Sequence, residues 1–170
     1  MKSFALFCFL PVVLAVQPAA AQSWQEYTFS ESGFAAQYPG KPTVSERPYR
    51  TAFGSEVKER VYAFNQGGVE YIVAVADLTP SRADKDKVID EAAKALMDRG
   101  RLTIDYPGRI DWNYGREIVV VGMDGTSITD AIFFVDKKLY QIEVVYPEMN
   151  SDPVGSSGIG FFQTAFRFLH

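Results

Sequence analysis

Nucleophilic and metal chemistry leans on cysteine and histidine, and this chain of 170 residues has one of each. Cys8 lies in an apolar N-terminal run and His170 is the last residue. Ser-His-Asp and Cys-His arrangements need an imidazole beside the nucleophile, and Cys/His metal sites need several ligands. Neither can be assembled within one chain unless His170 folds back into a cleft, so no metal and no cofactor are expected. The remaining chemistry is acidic, hydroxylic, guanidinium and aromatic. Asp124-Gly125-Thr126-Ser127 offers hydroxyls with no base nearby in sequence, and it reads as a two-residue hairpin turn. Asp77 ends an apolar strand and reads as a cap for neighbouring backbone, with a raised-pKa acid as the alternative. Asp86, Asp90 and Glu91 lack calcium-loop spacing and read as the solvated face of a helix near its positive end. The run Gly155 to Gly160 has neither a Gly-Lys-Ser ending nor dinucleotide spacing, and reads as a flexible lead-in to a last helix.

One segment is different. Thr103 to Tyr114 gathers Tyr106, Arg109, Trp112 and Tyr114 with Asp105 and Asp111 around an expected Pro107-Gly108 turn. Aromatic residues interleaved with arginine are the composition of interaction hot spots. Tyr106, Arg109, Trp112 and Tyr114 are therefore the candidate binding residues. The alternative is that Trp112 and Tyr114 cover a sheet edge.

The elements that must position this segment follow from periodicity. Trp24 to Phe29 and Phe34 to Tyr38 alternate as short strands around Glu31-Ser32-Gly33. Two longer, more polar strands, Thr43 to Phe53 and Val57 to Phe64, flank Gly54-Ser55, and Gly67-Gly68 is a hairpin turn. Val69 to Leu78 is apolar on both faces and should be buried on both. Asp84 is an N-cap for a helix whose Val88, Ile89, Ala92, Ala93, Leu96 and Met97 form one stripe, with Gly100 as its stop. A meander follows: Arg116 to Val121, Ser127 to Val135, and Leu139 to Tyr146 after an Asp136-Lys137-Lys138 turn. A closing helix near Ile159 to Phe166 would lay Phe161, Phe162, Ala165, Phe166 and Leu169 on the sheet. Strands in two groups with two helices give an α+β fold: a mainly antiparallel β-sheet with helices packed on it.

The first 21 residues read as a signal peptide. Lys2 precedes an apolar run from Ser3 to Val16, and Ala19-Ala20-Ala21 offers an A-x-A site before Gln22. The run is shorter than the roughly 20 residues that span a bilayer, and Cys8 lies within the run, away from the cleavage point, against lipid modification. The expected mature chain, 22–170, is a single α+β domain without cysteine, exported to the periplasm or medium and not membrane-spanning after processing. The whole chain carries a net charge of −4, which supplies no basic footprint for nucleic acid.

Three pieces in order carry a family resemblance: "FSESGFAAQYPGKP" (Phe29 to Pro42), "YGREIVVVGMDGTSITDAIFFVDKKLYQIEVVYP" (Tyr114 to Pro147) and "FFQTAFRF" (Phe161 to Phe168). Together they resemble the Mog1/PsbP-like superfamily, with Ala165 where that ending usually has serine. The resemblance implies an α/β/α sandwich and a member of the small exported bacterial branch. Its motifs mark turns, core aromatics and the closing segment, and bring no catalytic residue. Most members act by binding a larger partner. The expected function is a non-enzymatic exported module that binds another protein or an envelope component. The alternatives are a small hydrolase or isomerase with an Asp/Tyr/Arg cleft, and a small-ligand carrier.

Overall fold

A strand that is apolar on both faces has to lie inside a sheet covered on both sides, and Val69–Asp77 does. In the computed structural model, which describes residues 24–51, 54–79, 84–147 and 155–169, this strand, β5, is central in a seven-stranded antiparallel sheet. The other strands of that sheet are β3 (Thr43–Arg50), β4 (Glu56–Gln66), β6 (Arg101–Ile110), β7 (Asn113–Val121), β8 (Thr126–Val135) and β9 (Lys138–Pro147). They run in the order β3-β4-β5-β9-β8-β7-β6. A second, three-stranded sheet joins β1 (Gln25–Phe29), β2 (Phe34–Tyr38) and β10 (Arg167–Phe168) in the order β1-β2-β10.

Two cores lie on opposite faces of the large sheet. On one face, Val73 and Val75 of β5 and Phe133 and Ile142 of β8 and β9 pack against Phe34 and Tyr38 of the small sheet and Phe162 of α2 (Gly155–Thr164). On the other face, Ala76, Ile118, Val120 and Ile132 pack against α1 (Lys85–Met97) through its predicted stripe. The mainly antiparallel α+β reading therefore holds, with one helix on each face and a small second sheet completing one core.

Local chemistry sets the ends of α1. The Asp84 carboxylate accepts from the Lys87 amide at 3.1 Å, and Asp98 forms the C-cap. Gly100 is not the stop. A Cβ there would lie 2.4 Å from the Val121 carbonyl oxygen, so glycine is required by the close approach of β7. From β5, the chain crosses the sheet through α1 to the far edge, then meanders back through β6, β7, β8 and β9 to pair β9 with β5.

Several local expectations change. Pro107-Gly108 is not a turn: β6 runs through it, and the chain reverses at Asp111-Trp112, where Asp111 takes φ 53°. A two-residue reversal makes Ile110–Asn113 the hydrogen-bonded closing pair. By alternation Pro107 falls on the outward row of an edge strand, where its missing N–H costs the ladder nothing. The Asp124-Gly125 turn is wider than two residues, because the Gly122 amide donates to the Thr126 carbonyl at 2.8 Å and Gly125 takes φ 77°. Gly155 to Gly160 lies inside α2 rather than before it, and the chain leaves the helix after Thr164. Phe168 then pairs with Phe34, so the aromatic ending supplies a strand of the small sheet as well as a helix. The expected leader, residues 1–21, and His170 lie outside the described residues. Among the described residues no helix is long and apolar enough to cross a membrane.

Candidate functional site

The candidate binding residues sit on the β6–β7 hairpin at the free edge of the large sheet. Gly108 faces Gly115 near its tip, and a Cβ on Gly115 would come 2.2 Å from the Ile132 carbonyl oxygen. That close approach lets the hairpin pack on β8. Arg109 and Tyr114 are direct cross-strand partners and so share a face. Trp112 stands at the tip, 87% exposed, and Tyr114 is 59% exposed. Trp112 is therefore not buried against the sheet edge. Tyr106 is separated from this group. It pairs with Glu117, three residues along from Arg109, and therefore projects from the opposite face. Its hydroxyl donates to the Glu117 carboxylate, which holds the phenol above its ordinary pKa.

The face shared by Arg109 and Tyr114 is locked to α1. Arg116 donates through Nε and Nη2 to both oxygens of Asp105, at 2.8 Å each, and through Nη1 to Asp90 of α1 at 2.8 Å. Asp90, expected to be simply solvated, is thus an anchor as well, and the guanidinium holds Asp105 below the usual carboxylate range. Between the first turns of α1 and the hairpin runs an open groove of about 540 Å³, walled by Lys85, Asp86, Pro107 and Tyr114. Asp77 takes its expected capping role: its carboxylate accepts from the Thr79 amide at 2.8 Å, and hydrogen bonding to Thr79, first through its side chain and then through its backbone, lowers its pKa.

A second cluster was not expected. Glu143 on β9 is 5% exposed beneath α1. Opposite it on β8 stands Asp130, fully buried. Gln141 Nε2 donates to Asp130 Oδ2 at 2.9 Å, while Oδ1 has no partner among the described residues. Arg99, just beyond α1, reaches Glu143 at 3.4 Å, and Arg47 pairs with the buried Glu59. Burial, and then the charge of Glu143, push the Asp130 carboxyl well above the ordinary range. Burial likewise raises Glu59, against the pull of Arg47. Tyr49 is pushed up to about 12, first by burial and then by Glu59, Glu91 and Asp130. Beside this cluster is a recess of about 220 Å³ walled by Tyr49, Ala95 and Leu96 with Glu59 and Glu143 at its floor. The available signal was an acid inside an apolar alternation: Asp130 lies between Ile128 and Ile132 on one face of β8. Among the described residues no group of three or more His, Cys, Asp or Glu is placed to hold a metal ion.

A three-layer α+β arrangement, with a helix on each face of the large sheet and a small sheet closing one core, defines the class of protein. No family model matches the chain, and no curated protein does. Among solved structures it is similar to the solution structure of the cyanobacterial PsbP protein (CyanoP) from Synechocystis, at a TM-score of 0.58 and 13% identity. That match covers 92% of this chain and 98% of the other. The chain has a PsbP-like fold.

Proposed function

We propose that the protein is a non-enzymatic, exported binding module that engages another protein or an envelope component through the tip of its β6–β7 hairpin. The carrying observation is where apolar surface is left open. Of the eight large apolar side chains exposed among the described residues, five (Leu102, Ile104, Tyr106, Trp112 and Tyr114) belong to this one hairpin. Two of the five, Trp112 and Tyr114, stand at the tip beside Arg109, and exposed aromatic groups next to arginine are what partner surfaces present. The groove beside Tyr114 gives a partner side chain somewhere to sit. Export rests on the leader pattern, and the PsbP-like fold is compatible with an extrinsic, partner-bound role.

The buried acids favour a second reading, the Asp/Tyr/Arg hydrolase or isomerase. The recess beside them, about 220 Å³, is below the roughly 300–1,000 Å³ usual for ligand pockets. Its acids are already engaged by Arg47, Arg99 and Gln141. A carrier would need a large apolar cavity, whereas the open groove at the hairpin is walled partly by charged residues.

Affinity capture from native envelope tests the proposal. Wild type should retain a partner that Trp112→Ala and Arg109→Ala lose, with association weakened by about 2 kcal/mol or more. Both variants should keep the wild-type melting temperature within the small range expected of surface substitutions. Equal capture by wild type and both variants would remove the hairpin from the binding surface.

A further inference from the structure

The α1 face of the large sheet buries three carboxyl groups, Glu59, Asp130 and Glu143, and brings two guanidinium groups to them, from Arg47 and Arg99. One carboxyl has no counter-charge. Leaving a buried charge unpaired costs several kcal/mol, so the arrangement balances only if one acid is neutral. The hydrogen bonds identify which one. Asp130 is fully buried, its Oδ2 is taken by the Gln141 amide, and Oδ1 is the one buried side-chain polar atom without a partner among the described residues. Asp130 and Glu143 face each other directly across β8 and β9. Opposed side chains in such a pair have Cβ atoms about 4.5–5.5 Å apart, within reach of two carboxyl groups.

We propose that Asp130 keeps a proton on Oδ1 and donates it to the Glu143 carboxylate, and that this shared proton works as a latch seating the C-terminal end of α1. A proton on Oδ1 turns the orphaned acceptor into a donor and leaves two carboxylates facing two guanidinium groups. Arg99 follows the Asp98 cap of α1 directly and bonds to Glu143, so the charge state of the pair is felt at that helix end. When the proton leaves to solvent, two adjacent buried carboxylates repel, and only Arg99 reaches that pair. The groups acting on Asp130 are Glu143, Gln141 and the Ile142 backbone on β9, and Arg99 just beyond α1; around them, Tyr49 on β3 feels Asp130, Glu59 and Glu91, and Glu59 on β4 is tied to Arg47 and feels Glu143.

The sign is fixed by linkage. An acid whose folded-state pKa is raised stabilises the fold fully below its unfolded pKa, and that stability is lost as pH rises through the folded value. The chain suits such a test, because it has one histidine, the terminal His170. Few other side chains titrate between about pH 5 and pH 8. Wild type should therefore melt at a higher temperature near pH 5 than near pH 8. Asp130→Asn, which keeps an acceptor for Gln141 and an N–H for Glu143, should remove most of that difference and raise the melting temperature near pH 8. It should also increase amide-exchange protection over 94–97 at that pH. Glu59→Gln should lessen the slope by much less than Asp130→Asn does, because Arg47 offsets part of what burial does to Glu59. A flat wild-type profile, or a slope that survives Asp130→Asn and disappears in Glu59→Gln, would overturn the proposal. If Asp130→Asn fails to fold, infrared spectra of wild type labelled with ¹³C-aspartate decide. The labelled band of a protonated carboxyl at neutral pH supports the latch, and its absence overturns it.

Discussion

Replacing Phe162 with alanine should unseat α2 and cost about 3–5 kcal/mol. The helix has little reason to form by itself. Its ten residues include Gly155, Gly158 and Gly160, each of which disfavours a helix by about 1 kcal/mol relative to alanine. Packing must compensate, and Phe162 is its fully buried anchor. Its side chain is fully buried, with ring centroids 5.0 Å from Tyr38, 5.4 Å from Tyr71 and 6.4 Å from Trp24. A buried aromatic removes about 150–250 Å² from water, worth roughly 4–6 kcal/mol at about 25 cal/mol per Å² as an upper bound. Alanine retains part of that area, and the cavity adds back some of the difference. At about 2–4 °C per kcal/mol for a domain of this size, the melting temperature should fall by about 10 °C. Urea unfolding followed by tryptophan fluorescence is the assay. The chain has two tryptophans, and Trp112→Phe leaves only Trp24, which lies against Phe161 and Phe162. A loss below about 1 kcal/mol, within the scatter of ordinary surface substitutions, would refute the seating of α2 by Phe162.

Three other outcomes follow from backbone and charge. Gly160→Ala should stabilise by about 0.8–1 kcal/mol in the same urea assay, because the position is exposed, helical and open to a Cβ. Lys137→Gly should also stabilise, by about 0.5 kcal/mol. Asp136 and Lys137 both take positive φ (48° and 62°), as a type I′ turn requires, and lysine is strained there. Arg116→Ala should cost about 1–2 kcal/mol near neutral pH, since it removes a bidentate bond to Asp105 and the tie to α1. Asp105 has a lowered pKa, so its contribution is present above the unfolded value and is lost as pH falls through the folded one. The gap between wild type and Arg116→Ala should therefore close in acid, as chemical denaturation across the carboxylate range would show.

What could be read from sequence was what local chemistry decides. The Asp84 cap, the α1 stripe, the two-sided burial of β5 and the Gly67-Gly68 hairpin each need only a few neighbouring residues. The misread elements depend on distant parts of the chain. Pro107 signals a turn by every local rule, and it is tolerated in β6 because α1 carries the chain to the sheet edge. Phe168 becomes a strand residue by meeting Phe34, on the far side of the sequence. Asp130 and Glu143 look like polar positions of half-solvated strands until α1 covers them. Composition gathered the candidate binding residues in 103–114, which the structure folds into the β6–β7 hairpin. Alternation of faces, visible only once the turn moved to Asp111-Trp112, separates Tyr106 from Arg109 and Tyr114.

The binding account is tested most directly by a cross-link placed at its centre. The chain has one cysteine, Cys8 in the proposed leader, so in a Cys8→Ser background Trp112→Cys gives a single reactive thiol at the hairpin tip. Met123→Cys, equally exposed on the β7–β8 turn at the other end of β7, is the control. A short thiol-reactive cross-linker applied to intact envelope should give a discrete adduct from position 112 and none from position 123. Adducts at both positions alike, or at 123 alone, would contradict a partner seated on the β6–β7 hairpin.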